Sequence, residues 1–151
     1  MDWITALKSR SIRTLVEDGQ LQLGLFDERH LLEISSPEYP NERLVACRNP
    51  QLATRRARKR EELMAATETN LRAIQARVQA GRLKSADKIG VAVGKIVNRY
   101  KMAKHFELDI GAEHFNFQRK HAAIAAEAAL DGLYIIRTSV DAQHMQAADC
   151  V

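Results

Sequence analysis

Five cations fill six consecutive positions in Arg55-Arg56-Ala57-Arg58-Lys59-Arg60. Cations at that density can contact phosphates, which gives a salt-dependent affinity indifferent to base sequence. Lys95, Arg99, Lys101 and Lys104 follow in a second helical pattern and reinforce the patch. A solvated helix face, partly balanced by Glu61 and Glu62, would carry the same run. The run lies at the start of a helical stretch, where the backbone dipole makes cations mildly unfavourable.

Acids and imidazoles gather in HFELDIGAEHF, as His105, Glu107, Asp109, Glu113 and His114. Hard divalent cations take such carboxylates, and two-metal phosphoryl transfer needs several of them converging. A hairpin with a polar outer face would look the same, and no metal-ligand spacing is present. His30, His121 and His144 have no partner in sequence, and surface imidazoles account for them. Cys47 and Cys150, roughly a hundred residues apart, read as reduced thiols rather than a zinc or disulfide framework. No nucleophile elbow and no glycine-rich phosphate loop occurs. Gly90 and Gly94 fall inside a helical pattern, where they suggest close helix packing. The residues alone therefore assign no catalytic group and no metal ligand.

The elements that would position these groups follow from periodicity and punctuation. Residues 3–7 form a short apolar run that predicts a buried strand. Ser11 is suited to cap a brief helix over Ile12, Leu15 and Val16, ended by Asp18-Gly19. Residues 31–35 and 43–48 flank SPEYPN, whose prolines and Asn41 predict a hairpin turn. Between residues 51 and 80 there is neither Gly nor Pro, and Met64, Leu71 and Val78 repeat at seven with Thr67 and Ile74 between them. This predicts a long helix with one narrow apolar stripe. A second helix, over residues 85–105, presents Ile89, Val93, Ile96, Tyr100 and Ala103, and an antiparallel helical hairpin pairs the two stripes. Residues 106–110 and 115–117 predict a second β-hairpin, 120–130 a helix and 133–140 an apolar strand, with a helical or frayed tail from Asp141.

A chain of 151 residues with 46% hydrophobic and 28% charged residues fits one globular domain. It has no apolar run long enough to span a bilayer and no secretory signal at its start, which predicts a cytoplasmic protein without membrane contact. The net charge of +4 is unevenly placed, with fourteen Lys/Arg against four Asp/Glu between Pro50 and Lys104.

The blocks DWITALKS, IRTLVEDG, LFDERHLLEI, ERLVACRNP, RKREELMAATE, GRLKSADKIG, NRYKMAKHF, AAEAALDGLYIIRTS and AADCV occur in one order over nearly the whole chain. In them the chain resembles the stretch between the second aspartate and the glutamate of DDE transposases from bacterial insertion sequences, of the insertion-sequence-four kind. The resemblance implies an α/β fold: part of an RNase H-like layer with an inserted, mainly helical hairpin region that carries small β-hairpins. It implies a sheet strand and short helix over 1–30, the insertion over 31–118, and a helix, sheet strand and tail over 119–151. The intact family carries out DNA transposition, a form of DNA recombination, by two-metal cleavage and strand transfer with magnesium.

The chain is expected to start after the second aspartate and to stop before the glutamate helix, so no catalysis and no cofactor are expected of it. Asp131, in the DGLYIIRTS block, is not assigned a catalytic role. Expected partners are DNA, through backbone contacts of Arg55, Arg56, Arg58, Lys59, Arg60, Lys95, Arg99, Lys101 and Lys104, and the full-length transposase. A small regulator that binds DNA or the transposase, or a helical-hairpin interaction module, are the alternatives. Residues 3–7 and 133–140 would sit in a sheet completed by strands from outside the chain, and such open edges favour aggregation.

Overall fold

The computed structural model describes residues 1–27 and 29–151; Glu28, within the LFDERHLLEI block, lies outside the described residues. Along the chain run β1 (Ile4–Ala6), α1 (Ser9–Glu17), β2 (Leu31–Ile34), β3 (Arg43–Arg48), α2 (Pro50–Gln79), α3 (Ala86–Tyr100), β4 (Phe106–Ile110), β5 (Phe115–Arg119), α4 (His121–Ala128) and β6 (Leu133–Thr138). The fold is mixed α/β and divides into two compact units. The first joins Met1–Arg56 to Leu130–Val151, and the second is Ala57–Ala129.

The first unit is built on an antiparallel sheet in the order β1-β6-β3-β2. Successive residues of a strand point to opposite faces, so β3 and β6 serve two cores at once. Leu44, Ala46, Leu133 and Ile135 join Ile12 and Leu15 of α1 on one face. Val45, Cys47, Tyr134 and Ile136 join Leu31 and the C-terminal residues Met145, Ala147 and Cys150 on the other. The tail is therefore not frayed. It ends in a 3-10 turn over Ala147–Cys150, and Arg43 donates to the carbonyls of Val140 at 3.0 Å and Met145 at 2.8 Å.

Four expectations change here. Strand β1 is exposed rather than buried, because it lies at the edge of the sheet and only Leu7, just beyond it, turns inward. Strand β6 is not an open edge: β1 and β3 of this same chain pair with both its sides. Ser11 does not cap α1, which starts at Ser9 with Lys8 in the cap position. The hairpin of β2 and β3 belongs to the sheet, so the second compact unit starts at Ala57, not at residue 31, and it takes in α4. Residues 44–47 of β3 are all buried, as an interior strand covered on both faces requires.

Helix α2 opens with Pro50 as its first residue, and the Asn49 side chain accepts from the N–H of Leu52 at 3.1 Å. In the second unit Met64, Thr67, Leu71, Ile74 and Val78 are buried along α2, against Ile89, Val93 and Val97 of α3. Asn70 donates to the Tyr100 hydroxyl at 3.2 Å, which sets the register of the helical hairpin. Helix α3 is capped by Ser85, which accepts from the Lys88 N–H. It ends earlier than its sequence pattern suggests, because Lys101 adopts the left-handed conformation at φ +57. The buried stripe accordingly runs through Val97 instead of Ile96, and Ala103 lies exposed in a 3-10 turn. Strands β4 and β5 pair as a separate hairpin whose Phe106 and Phe115 close the end of this core.

Gly90 and Gly94 do not serve close packing, since a Cβ at either would meet nothing within 4 Å among the described residues. Both sit inside α3, where glycine costs helix stability by about 0.5–1 kcal/mol relative to alanine. Gly90→Ala and Gly94→Ala are expected each to raise stability by about that amount in urea titrations. A lowered midpoint for either variant would show that the space beside α3 is occupied after all.

Candidate nucleic-acid interface

The basic run begins at the sixth residue of α2, beyond the first turn in which the helix dipole acts most strongly, so its penalty is small. Arg55, Arg56, Arg58 and Lys59 are exposed, whereas Arg60 is not. The Arg60 side chain is only 10% exposed and lies 4.0 Å from Glu127.

The carboxylates that could neutralise the run are unevenly used. Glu62 accepts from Arg58 at 2.8 Å across one helical turn, an exposed pair of the kind worth about 0.3–0.5 kcal/mol. Glu61 instead turns to Arg119 of β5, which donates to both its oxygens at 2.9 and 2.8 Å and also to Glu68. The hydrogen bond from Arg119 holds the Glu61 carboxyl below its ordinary range. No side-chain hydrogen bond or ion pair engages Arg55, Arg56 or Lys59 among the described residues.

On α3, Lys95 and Arg99 are exposed, as is Lys101 at its C-cap. The Arg99 guanidinium lies 5.9 Å from the ring centre of Tyr100, a weak cation–π contact that leaves it open to solvent. Arg58, Lys59, Lys95, Arg99, Lys101 and Lys104 are thus exposed cations of one compact unit, while Arg55 and Arg56 precede them on α2 in the other.

Lys104 stands apart because its ammonium is bound to Glu127 of α4. His105, 1% exposed, brings Nε2 within 2.6 Å of the other Glu127 oxygen. That approach lacks the angle of a hydrogen bond, and Nδ1 also finds no hydrogen-bond partner among the described residues. Burial pushes the Glu127 carboxyl up. The hydrogen bond from Lys104 and the charges of Lys104, His105 and Arg60 outweigh it and hold the group below its ordinary value. The sequence offered no sign of this cluster. Glu127 sits in an alanine-rich helix well separated from Lys104, with nothing to mark it as their partner.

The acids of the β4–β5 hairpin do not converge. Glu107 and Asp109 share the exposed face of β4, as alternation requires. Glu107 accepts from Gln118 at 2.8 Å, and Asp109 lies 3.2 Å from His114. They line an open hollow of about 520 Å³ together with Leu108, Asn116, Phe117 and Gln118. No group of three His, Cys, Asp or Glu residues among the described ones is placed to hold a metal ion, so these residues do not fit the magnesium pair of the resembled family. The two cysteines, distant in sequence, meet in one cluster as free thiols, and burial pushes that of Cys47 up to about 11. A thiol so poised is a packing group and not a nucleophile. No described helix is long and apolar enough to cross a membrane.

No family model, curated protein or solved structure matches the chain.

Proposed function

We propose that this chain is part of a DDE-type insertion-sequence transposase and that its role is to hold DNA by the phosphate backbone, without cutting it. The observation that carries the DNA-holding role is that Arg55, Arg56 and Lys59 are exposed and have no carboxylate partner among the described residues, while Glu62 is taken by Arg58 and Glu61 by Arg119. Lys95, Arg99 and Lys101 add exposed cations from α3. Phosphate contacts of this kind fix position and carry no base readout. In this account the sheet of the first unit belongs to an RNase H-like layer, and the helical unit is an insertion in it. The discontinuity of the first unit, interrupted by Ala57–Ala129, supports that arrangement. Cutting would need carboxylates gathered around two cations, and Glu107 and Asp109 are engaged elsewhere.

Fluorescence anisotropy with a labelled 25-base-pair duplex tests the role. The expected dissociation constant is about 1–100 µM near physiological salt, and log K should fall linearly with log salt. The triple variant Arg55→Glu, Arg56→Glu, Arg58→Glu should lose at least about tenfold in affinity and flatten the salt slope. Unchanged affinity in that variant would leave a helical-hairpin interaction module as the better account. Nicking of supercoiled plasmid in magnesium buffer by the pure chain, absent from a mock preparation, would overturn the non-cutting part.

A further inference from the structure

Glu127 receives Lys104 at one oxygen, and Arg60 and His105 approach the other. Two cations and an imidazole around a single anionic oxygen pair is the arrangement that a phosphate group would also satisfy. Lys104 is the accessible member, its side chain 57% exposed although its ammonium is engaged; Glu127 is 25% exposed and Arg60 10%. The contact is built from separated parts of one compact unit: Arg60 from α2, Lys104 and His105 from the turn before β4, and Glu127 from α4. That turn is fixed from both sides. The His105 N–H donates to the Met102 carbonyl, and the Lys120 N–H at the start of α4 donates to the His105 carbonyl at 2.8 Å. The carboxylate is thus held at Lys104 by backbone geometry as well as by charge.

We propose that Glu127 is a built-in competitor for phosphate: it occupies Lys104, so a DNA backbone crossing this end of the helical unit must displace it before Lys104 can bind. The inference depends on the DNA-holding role proposed above. Because Glu127 carries a charge opposite to that of the surrounding patch, it lowers affinity and sharpens the requirement for a strong phosphate field. Lys59, Lys95 and Lys101 carry no such internal anion among the described residues.

Glu127→Gln keeps the shape and the acceptor oxygen beside His105 but removes the charge. Duplex binding by this variant should tighten by about five- to tenfold at 0.1 M salt, and the slope of log K against log salt should steepen by about one, the increment of one added phosphate contact. Lys104→Gln should cost less affinity in the otherwise native chain, where Glu127 engages that ammonium, than in the E127Q background, where it is released. Combined with Glu127→Gln, it should abolish the gain, and this non-additivity separates release of Lys104 from a mere change of net charge. If E127Q gains nothing, or gains equally with and without Lys104, the competitor role is overturned while salt-dependent binding by the native chain leaves the DNA-holding role standing. Absence of any duplex binding by the native chain and by E127Q together would overturn both. Should E127Q fold poorly by circular dichroism, the K104Q arm decides alone: a loss of tenfold or more there shows that Lys104 was free to bind phosphate.

Discussion

Gly132→Ala is expected to destabilise the protein by about 2–4 kcal/mol, the combined cost of a strained backbone and an overpacked contact. Gly132 has φ +75, a conformation that L side chains adopt at a cost. A Cβ there would stand 2.4 Å from the Asn49 carbonyl oxygen and 2.9 Å from the Ala53 Cβ. Neither neighbour can yield easily. Asn49 caps α2 through Leu52, and its N–H donates to the Gly132 carbonyl at 2.8 Å, so the turn before β6 and the start of α2 are joined backbone to backbone. Urea unfolding followed through Trp3, the sole tryptophan, would report the loss, because its ring lies 5.1 Å from the guanidinium of Arg137 on β6. A midpoint within experimental error of the native one would mean that this joint does not carry the stability assigned to it.

Phe106→Ala should cost about 3–5 kcal/mol, the range for truncating a buried phenylalanine and leaving a cavity. Phe106 is 2% exposed and sits in the core of the second unit with Met64, Val97, Met102 and Phe115. Its ring meets Phe117 edge to face at 6.3 Å between centroids, an arrangement that contributes beyond the buried area. The adjacent Glu107 is exposed and, among the described residues, bonds only across the hairpin to Gln118, so Glu107→Ala should shift stability by less than about 0.5 kcal/mol. Ellipticity at 222 nm, dominated by α2 and α3, is the measurement for both. A loss below about 1 kcal/mol in F106A would show that the hairpin is peripheral to this core.

How far the fold was legible depended on the range of the signal. The long helix could be read because residues 51–80 lack Gly and Pro and repeat their apolar positions, and Met64, Thr67, Leu71, Ile74 and Val78 are indeed the buried ones. The short hairpins could be read from their turn residues, Asn41 among them at φ +60. Candidate cations could be named by type, and Lys59, Lys95 and Lys101 are exposed. Their partners could not be named, because ion pairs between separated elements leave no spacing in the chain.

The sequence by itself determined which segments are helix and which are strand, since those choices rest on periodicity and punctuation within a few residues. Only the tertiary structure decided that β6 lies between β1 and β3, that Cys47 meets Cys150, that Glu61 turns to Arg119 and that Glu127 holds Lys104. Strand pairing and charge pairing join residues far apart in the chain. A strand buried on both faces, such as β3, shows only an unbroken apolar run that names no neighbour.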